Sequence, residues 1–235
     1  MAFLMFQTLF SSDIMKLDLH NHTHFSRDAN ILPKTFLKTA QKKGMGIAIT
    51  DHNSIDAWKP LTLANKEFNV PLILGEEVMT FNAEGKKSGE IIGLFMNEFV
   101  QTGTPDEVLD ALHAQDALIT VPHPFDAVRN NLKELERVKK RVHAIEVFNA
   151  RCYTTKANGL AVAFQEKNNL GITAGSDGHT VAELGRAYIE NKELDSLEDM
   201  RKAILKGKVN VQGKRSNLVP HLKTQLIKYN ILKDE

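Results

Sequence analysis

Two histidines one residue apart, His20 and His22, close an apolar segment in Asp18-Leu19-His20-Asn21-His22-Thr23. In an extended strand residues two apart point to the same side, so both imidazoles can serve one ion. Four motifs of the same kind follow in order: Thr50-Asp51-His52, Gly75-Glu76-Glu77, His123-Pro124 and Gly175-Ser176-Asp177-Gly178-His179. Each lies at the end of another apolar run, and Asp177 and His179 repeat the spacing of His20 and His22. Imidazole and carboxylate together suit zinc, manganese or iron. Two or three such ions polarise a phosphoryl oxygen and bring the pKa of a bound water near neutrality. A lone H-x-H says little; five strand-end motifs together indicate metal-dependent hydrolysis.

Short apolar runs alternate with amphipathic stretches, which predicts repeated β-α units with a parallel sheet and helical cover. Strands are expected over 16–20, 46–50, 70–78, 117–121, 144–148, 171–174 and 186–189. Helices are expected over 33–43, 54–68, 104–115, 132–141, 155–167 and 197–206, with a last helix over 218–232 packing outside. Thr104-Pro105-Asp106-Glu107 combines an N-cap, a proline at N1 and a glutamate at N3, a strong helix start. Residues 82–89 read as a hairpin turn between 78–81 and 90–95. An open sheet would spread the motif-bearing strand ends along a line, whereas a barrel converges them on one mouth. The expected fold is therefore a distorted α/β barrel, in one domain over 1–235 with its core over about 16–212.

With 30 basic and 29 acidic side chains, the chain lacks the basic excess that long polyanions usually require. Cys152 is the only cysteine, so no intrachain disulfide forms, a cytoplasmic location is expected, and the thiol reads as packed rather than nucleophilic. The apolar start, 1–10, is too short to span a bilayer and lacks a basic leading region. Met15 is an alternative start.

The chain resembles the PHP family, named for polymerase and histidinol phosphatase domains. The resemblance runs from Lys16 to about Ile189, on DLHNHTHFSRD, ITDHNS, GEEV, VPHPF, IEVFNAR and AGSDGHT. It implies a seven-stranded distorted β/α barrel and a centre of two or three manganese, iron or zinc ions. Position by position it gives His20, His22 and Asp177 to one ion and makes Glu77 a bridge, leaving Glu76 as filler. His123 falls to the second ion, and His52 and His179 to the third. Glu90 stands where many members have histidine and is kept as a second-metal ligand. Asp28 stands one residue beyond the usual acid and is kept for the third ion.

Arg27, Arg151 and Arg186 adjoin strand-end motifs and are the candidates for binding a substrate anion, with Arg186 first. Asp51, His52 and His179 are the candidate proton-handling groups, Asp51 also as an orienter of His52 or a cap for the next helix. His24 is expected at the mouth, and His113, His143 and His221 as structural histidines. The resulting expectation is a phosphoesterase hydrolysing a small phosphate monoester or nucleotide-type phosphoester through a metal-bridging hydroxide. A non-catalytic metal-binding PHP module and a nuclease acting on nucleic-acid ends are the alternatives. No lysine occupies a strand-end motif, which argues against an amidohydrolase site. The interval between Glu90 and His123 is too short for an added domain, so an open mouth is expected.

Overall fold

The computed structural model describes residues 14–217, 219–229 and 231–232. The apolar start at 1–10 and Leu218 lie outside them. In chain order the elements are β1 (Met15–Asp18), α1 (Pro33–Lys42), β2 (Gly46–Ile49), α2 (Trp58–Phe68), β3 (Leu72–Phe81), β4 (Lys87–Leu94), α3 (Pro105–Ala114), β5 (Leu118–Val121), α4 (Leu135–Val138), β6 (Ala144–Asn149), α5 (Thr155–Asn168), β7 (Gly171–Gly175), β8 (Ala187–Asn191), α6 (Leu197–Leu205), β9 (Asn210–Gly213) and α7 (Val219–Lys228). The strands form one sheet in the order β7-β6-β5-β4-β3-β2-β1-β8-β9.

The sheet curls until its two sides meet. Leu19 N–H donates to Ala174 O at 3.2 Å, and Asn21 bridges Gly178 beyond the ends of β1 and β7. Strands β1 to β7 thus make the ring, and β8 and β9 extend it as an antiparallel flange on β1. The expected α/β barrel is present, with nine strands where seven were expected. The distortion comes from β4, which runs antiparallel to both β3 and β5 and interrupts an otherwise parallel ring.

Alternation along each strand sorts side chains into two apolar layers. Ile47, Ile49, Ile91, Ile119, Val121, Ile145 and Val147 pack outward against the helices. Leu17, Leu19, Ala48, Ile73, Ile92, Leu118, Ala144 and Ala174 form a second cluster, to which β8 and α6 add Ile189, Met200 and Ile204. Removing one such Leu or Ile from water contributes about 1.5–3 kcal/mol. This apolar floor carries the polar site.

Three expectations change. The helix over 54–68 begins only at Trp58, because Asn53 takes a left-handed φ of 51° and its Oδ1 accepts Met79 N–H at 2.7 Å. The helix over 132–141 shrinks to the single turn α4. Its approach is tied to β4 instead, by Lys133 N–H to Ser88 O at 2.7 Å and Glu90 N–H to Asn130 O at 3.1 Å. Glu77 and Glu90 lie within the long β3–β4 hairpin rather than at strand ends. The capping box at Thr104 forms as read, with Glu107 answering it.

Candidate metal centre

The barrel mouth gathers His20, His22, His52, Glu77, Glu90, His123, Asp177 and His179 from six strands or the loops just beyond them. His20 Nε2 and His22 Nε2 each stand 3.4 Å from Glu77 Oε2, and 3.7 and 3.5 Å from Asp177 Oδ1. With metal–ligand bonds of 2.0–2.2 Å, a tetrahedral cage has edges of about 3.3–3.6 Å. All four atoms are buried and none makes a hydrogen bond. Buried polar atoms are nearly always paired, so four converging orphans fit a cation in their midst.

The same carboxylate serves a second cluster. Glu77 Oε1 is 3.2 Å from His123 Nε2, which is 3.6 Å from Glu90 Oε2; His52 Nδ1 lies 3.0 Å from Glu77 Oε2 and 3.8 Å from Glu90 Oε1. Toward solvent, Asp28 Oδ1 stands 3.8 Å from His52 Nε2 and 3.7 Å from His179 Nε2. The two nitrogens of His52 therefore face two different clusters. Glu76 points to the opposite face of β3 and accepts Val100 N–H at 3.0 Å, as alternation requires.

Neighbouring groups set the imidazole tautomers so that Nε2 is left bare for an ion. His20 Nδ1 donates to Glu146 Oε1 at 3.0 Å, and His179 Nδ1 to its neighbour Asp177 O at 2.8 Å. Ser26 Oγ donates to Asp51 Oδ1 at 2.7 Å and accepts His52 N–H at 2.9 Å, leaving a lone pair for His22 Nδ1–H at 3.3 Å. Asp51 is completed by Thr23 N–H at 2.7 Å and Thr23 Oγ1 at 2.6 Å. Asp51 is thus a clamp under the Thr23–Ser26 turn. Its carboxylate neither orients the His52 ring nor caps the next helix, and it lies away from the pocket wall.

The charges are close enough to set one another. Burial lowers His22 to about 4, and the adjacent His52 adds to this. Burial would also lower His52, but Glu77 and Asp28 outweigh it and raise it to about 10. Burial pushes Asp177 upward, yet Arg129 and His20 hold it well below the usual carboxylate range. His123 and Asp177 have φ values of 31° and 53°, a left-handed backbone that costs a residue with a Cβ on the order of 1 kcal/mol or more.

A cavity of about 800 Å³ opens above the cluster, lined among others by Arg27, Asp28, His52, Glu90, Arg151 and His179. Arg27 and Arg151 face it as expected, though Arg151 Nε is already 3.2 Å from Glu183 Oε1. Arg186 does not: its guanidinium bonds Arg215 O at 3.2 Å while its backbone N–H is held by Ser176 Oγ. Cys152 is buried, and burial pushes its thiol upward. His113 and His143 pack edge to face away from the site.

Four features escaped the sequence reading. Arg129 Nη2 lies 2.5 Å from Asp177 Oδ2, the oxygen turned away from the cage. Glu146 Oε2 accepts His123 N–H at 2.7 Å while its partner oxygen holds His20. Asn149 Nδ2 bridges Glu146 and Asp177 at 2.9 and 3.0 Å. Helix α7 packs over the mouth rather than outside, so His221, Thr224, Gln225 and Lys228 line the cavity and the mouth is walled on that side. An acid inside the apolar strand Ala-Ile-Glu-Val-Phe was the available signal for Glu146, and the IEVFNAR motif was that for Asn149; Arg129 and the place of α7 had none.

Fold and site together define a β/α barrel protein whose clustered histidines and carboxylates suit divalent metal ions. A family model described as PHP-associated matches residues 155–209. The uncharacterized protein MJ0417 of Methanocaldococcus jannaschii is 38% identical over 189 residues, covering 77% of this chain and 72% of that protein. A similar structure is a two-domain protein of Bacteroides vulgatus containing a predicted PHP-like metal-dependent phosphoesterase. It has a TM-score of 0.70 and 19% identity, over 86% of this chain and 65% of that longer one. The lesion-specific endonuclease PfuEndoQ of Pyrococcus furiosus has a TM-score of 0.61 and 20% identity, over 85% of this chain and 57% of its own. The chain belongs to the PHP family.

Proposed function

We propose that the protein is a metal-dependent phosphoesterase acting on a small phosphate monoester or nucleotide-type phosphoester, with the chain working as one PHP-like domain. The observation that carries this is the set of four buried, unbonded ligand atoms of His20, His22, Glu77 and Asp177. The residues fit two or three divalent ions, manganese, iron or zinc. His20, His22, Glu77 and Asp177 would hold the first, Glu77, Glu90 and His123 the second, and Asp28, His52 and His179 the third. When bound, such ions polarise the phosphoryl group and supply a water nucleophile near neutral pH. Family membership and the phosphoesterase named in the Bacteroides relative support the reaction class.

The chain's own side chains do the rest. Glu146, Ser26 and the Asp177 carbonyl hold Nδ1 of His20, His22 and His179, which leaves their Nε2 atoms to the cluster that would hold the ions. Arg27, Arg129 and Arg151 face the cavity with planar forks suited to phosphate oxygens. His52 and His179 stand on its wall; in a two-ion centre, with no third ion on its Nε2, His52, held protonated by Glu77 and Asp28, can hand a proton to the leaving oxygen. No helix among the described residues is long and apolar enough to cross a membrane.

Metal per chain, measured by mass spectrometry on protein purified without chelator, tests the proposal together with a phosphoester screen. Two or three transition ions, one fewer in Glu90→Ala, and turnover of a monoester are expected. A chain that stays metal-free after reconstitution with manganese, iron and zinc would overturn it in favour of a non-catalytic module.

A further inference from the structure

The cavity is far larger than a phosphoryl group needs; pockets of about 300–1,000 Å³ take whole small molecules. Its inner end is the cluster of candidate metal ligands with Arg129. Its outer wall is α7, and this wall is pinned. Arg151 Nη2 donates to Thr224 Oγ1 at 2.7 Å, and both residues are buried. Tyr153 and His221 stack with ring centroids 4.3 Å apart. Arg215 donates to Cys152 O and Tyr153 O at 3.1 and 2.9 Å, and Ser216 N–H to Ala150 O at 2.7 Å. Five contacts tie the segment before and within α7 to the loop leaving β6, the strand that carries Glu146.

The charge of that outer wall is one-sided. Lys228 of α7, Lys87 of β4 and Arg27 line it, and none of the three has an acidic partner within 4.0 Å among the described residues. The acids on the wall, Asp28 and Glu90, sit at the inner end beside His52 and His123. Three uncompensated cations beyond the reacting centre, in a chain of net charge +1, form a local positive field.

We infer that α7 builds the leaving-group subsite, and that the substrate is a small phosphomonoester whose leaving group carries a second anionic group, received by Lys228 with Lys87 and Arg27. The inference rests on the phosphoesterase reading and deepens it. The scissile phosphate lies at the ions and Arg129, the connecting portion passes the Tyr153–His221 stack, and the second anion ends between α7 and the β4 edge. Solvent-facing lysines give modest energies singly, so loss of Lys228 should cost about fivefold in binding of the second anion.

The test compares hexyl phosphate with 1,6-hexanediol bisphosphate as substrates, and hexylphosphonate with hexane-1,6-bisphosphonate as calorimetric ligands, all on metal-loaded protein. Wild type should favour the doubly charged member of each pair by about tenfold or more, summed over the cations. Lys228→Met and Lys87→Met should each erode that preference through KM and Kd, leaving kcat and the singly charged compounds unchanged. Lys223→Met, on α7 but outside the cavity wall, is the control and should change nothing. Metal content and melting temperature identify any variant that is merely misfolded. Equal handling of both members by wild type, or a preference indifferent to Lys228 and Lys87, overturns the subsite. Hydrolysis of both compounds without preference would leave the phosphoesterase reading standing. Tight bisphosphonate binding without any hydrolysis would sink that reading and keep the subsite. Preference for a 5′-phosphorylated oligonucleotide over the bisphosphate would overturn the small-molecule assignment in favour of a nucleic-acid end.

Discussion

Replacing Glu146 by Gln exchanges one oxygen for nitrogen, and the hydrogen bonds it makes show why that should weaken metal binding. Glu146 accepts three hydrogen bonds: His20 Nδ1–H on Oε1, and His123 N–H and Asn149 Nδ2 on Oε2. A glutamine offers one acceptor oxygen and one donor nitrogen. If its oxygen stays with His123 and Asn149, its amide meets His20 Nδ1. His20 must then put its proton on Nε2, the atom that faces Glu77 and Asp177 at 3.4 and 3.7 Å, where it can no longer bind an ion. If the amide flips, His123 N–H and Asn149 lose their acceptor instead. Losing such an outer partner typically weakens metal binding 10–100-fold, about 1.4–2.7 kcal/mol. The assay is competition for zinc against a chelator of known affinity. Thr120→Val, which breaks the Thr120–Thr173 contact of 2.7 Å elsewhere in the barrel, controls for general loosening. An affinity within twofold of wild type for Glu146→Gln, or an equal loss in Thr120→Val, would refute the tautomer argument.

Arg129→Met leaves Asp177 buried without its cation, so chelator-stripped protein should lose about 3 kcal/mol, the lower end for breaking a buried pair. In a chain of this size that lowers Tm by about 6–12 °C, and saturating zinc should recover most of it; equal losses with and without metal would refute the assignment. His221 is lowered to about 4 by burial, with Arg151 and Arg129 adding to the effect. Its folded pKa lies below the ordinary value, so the unfolded chain binds the extra proton, and stability declines as pH falls from about 6.5 toward 4. His221→Gln should flatten that decline in urea melts, and an unchanged slope would contradict it. Gly175→Ala places a Cβ against the Cβ of His20 and within 2.7 Å of its backbone nitrogen, so it should displace His20 and lower metal content as well as Tm. Full metal loading in that variant would show that the approach can relax.

What the sequence made legible was local. Strands β1, β2, β5, β6 and β7 are short and largely buried, and the chemistry-bearing residue lies in them or follows within a few positions, so run and ligand are read together. Glu77 was placed through its motif, but its position within a ten-residue strand was not, because the length of β3 is set by pairing with β4 across the hairpin. Glu90 follows from the same pairing: Met79 stands opposite it, two rungs from the Glu77–Ile92 pair, so alternation puts Glu77 and Glu90 on one face of the hairpin. Nothing in the spacing of 77 and 90 reports that register.

The residues missed share a different cause: their importance is created by partners far along the chain. Arg129 stands 48 residues before Asp177 in a loop with no helical or strand period, and the two meet because β5, β6 and β7 pair side by side, which brings the loop after β5 to the end of β7. Arg186, seven residues after His179, is drawn off by Arg215 and Ser176 once β8 pairs with β9. The left-handed backbones of His123 and Asp177 follow the same logic, since histidine and aspartate tolerate that conformation without requiring it. They are held from outside, His123 N–H by Glu146 and Asp177 N–H by His20 O at 2.7 Å. Each of these holding bonds also places a ligand atom. The strain and the ligand geometry are therefore one feature, and a variant that lets either backbone relax should release the side chain from the cage at the same time.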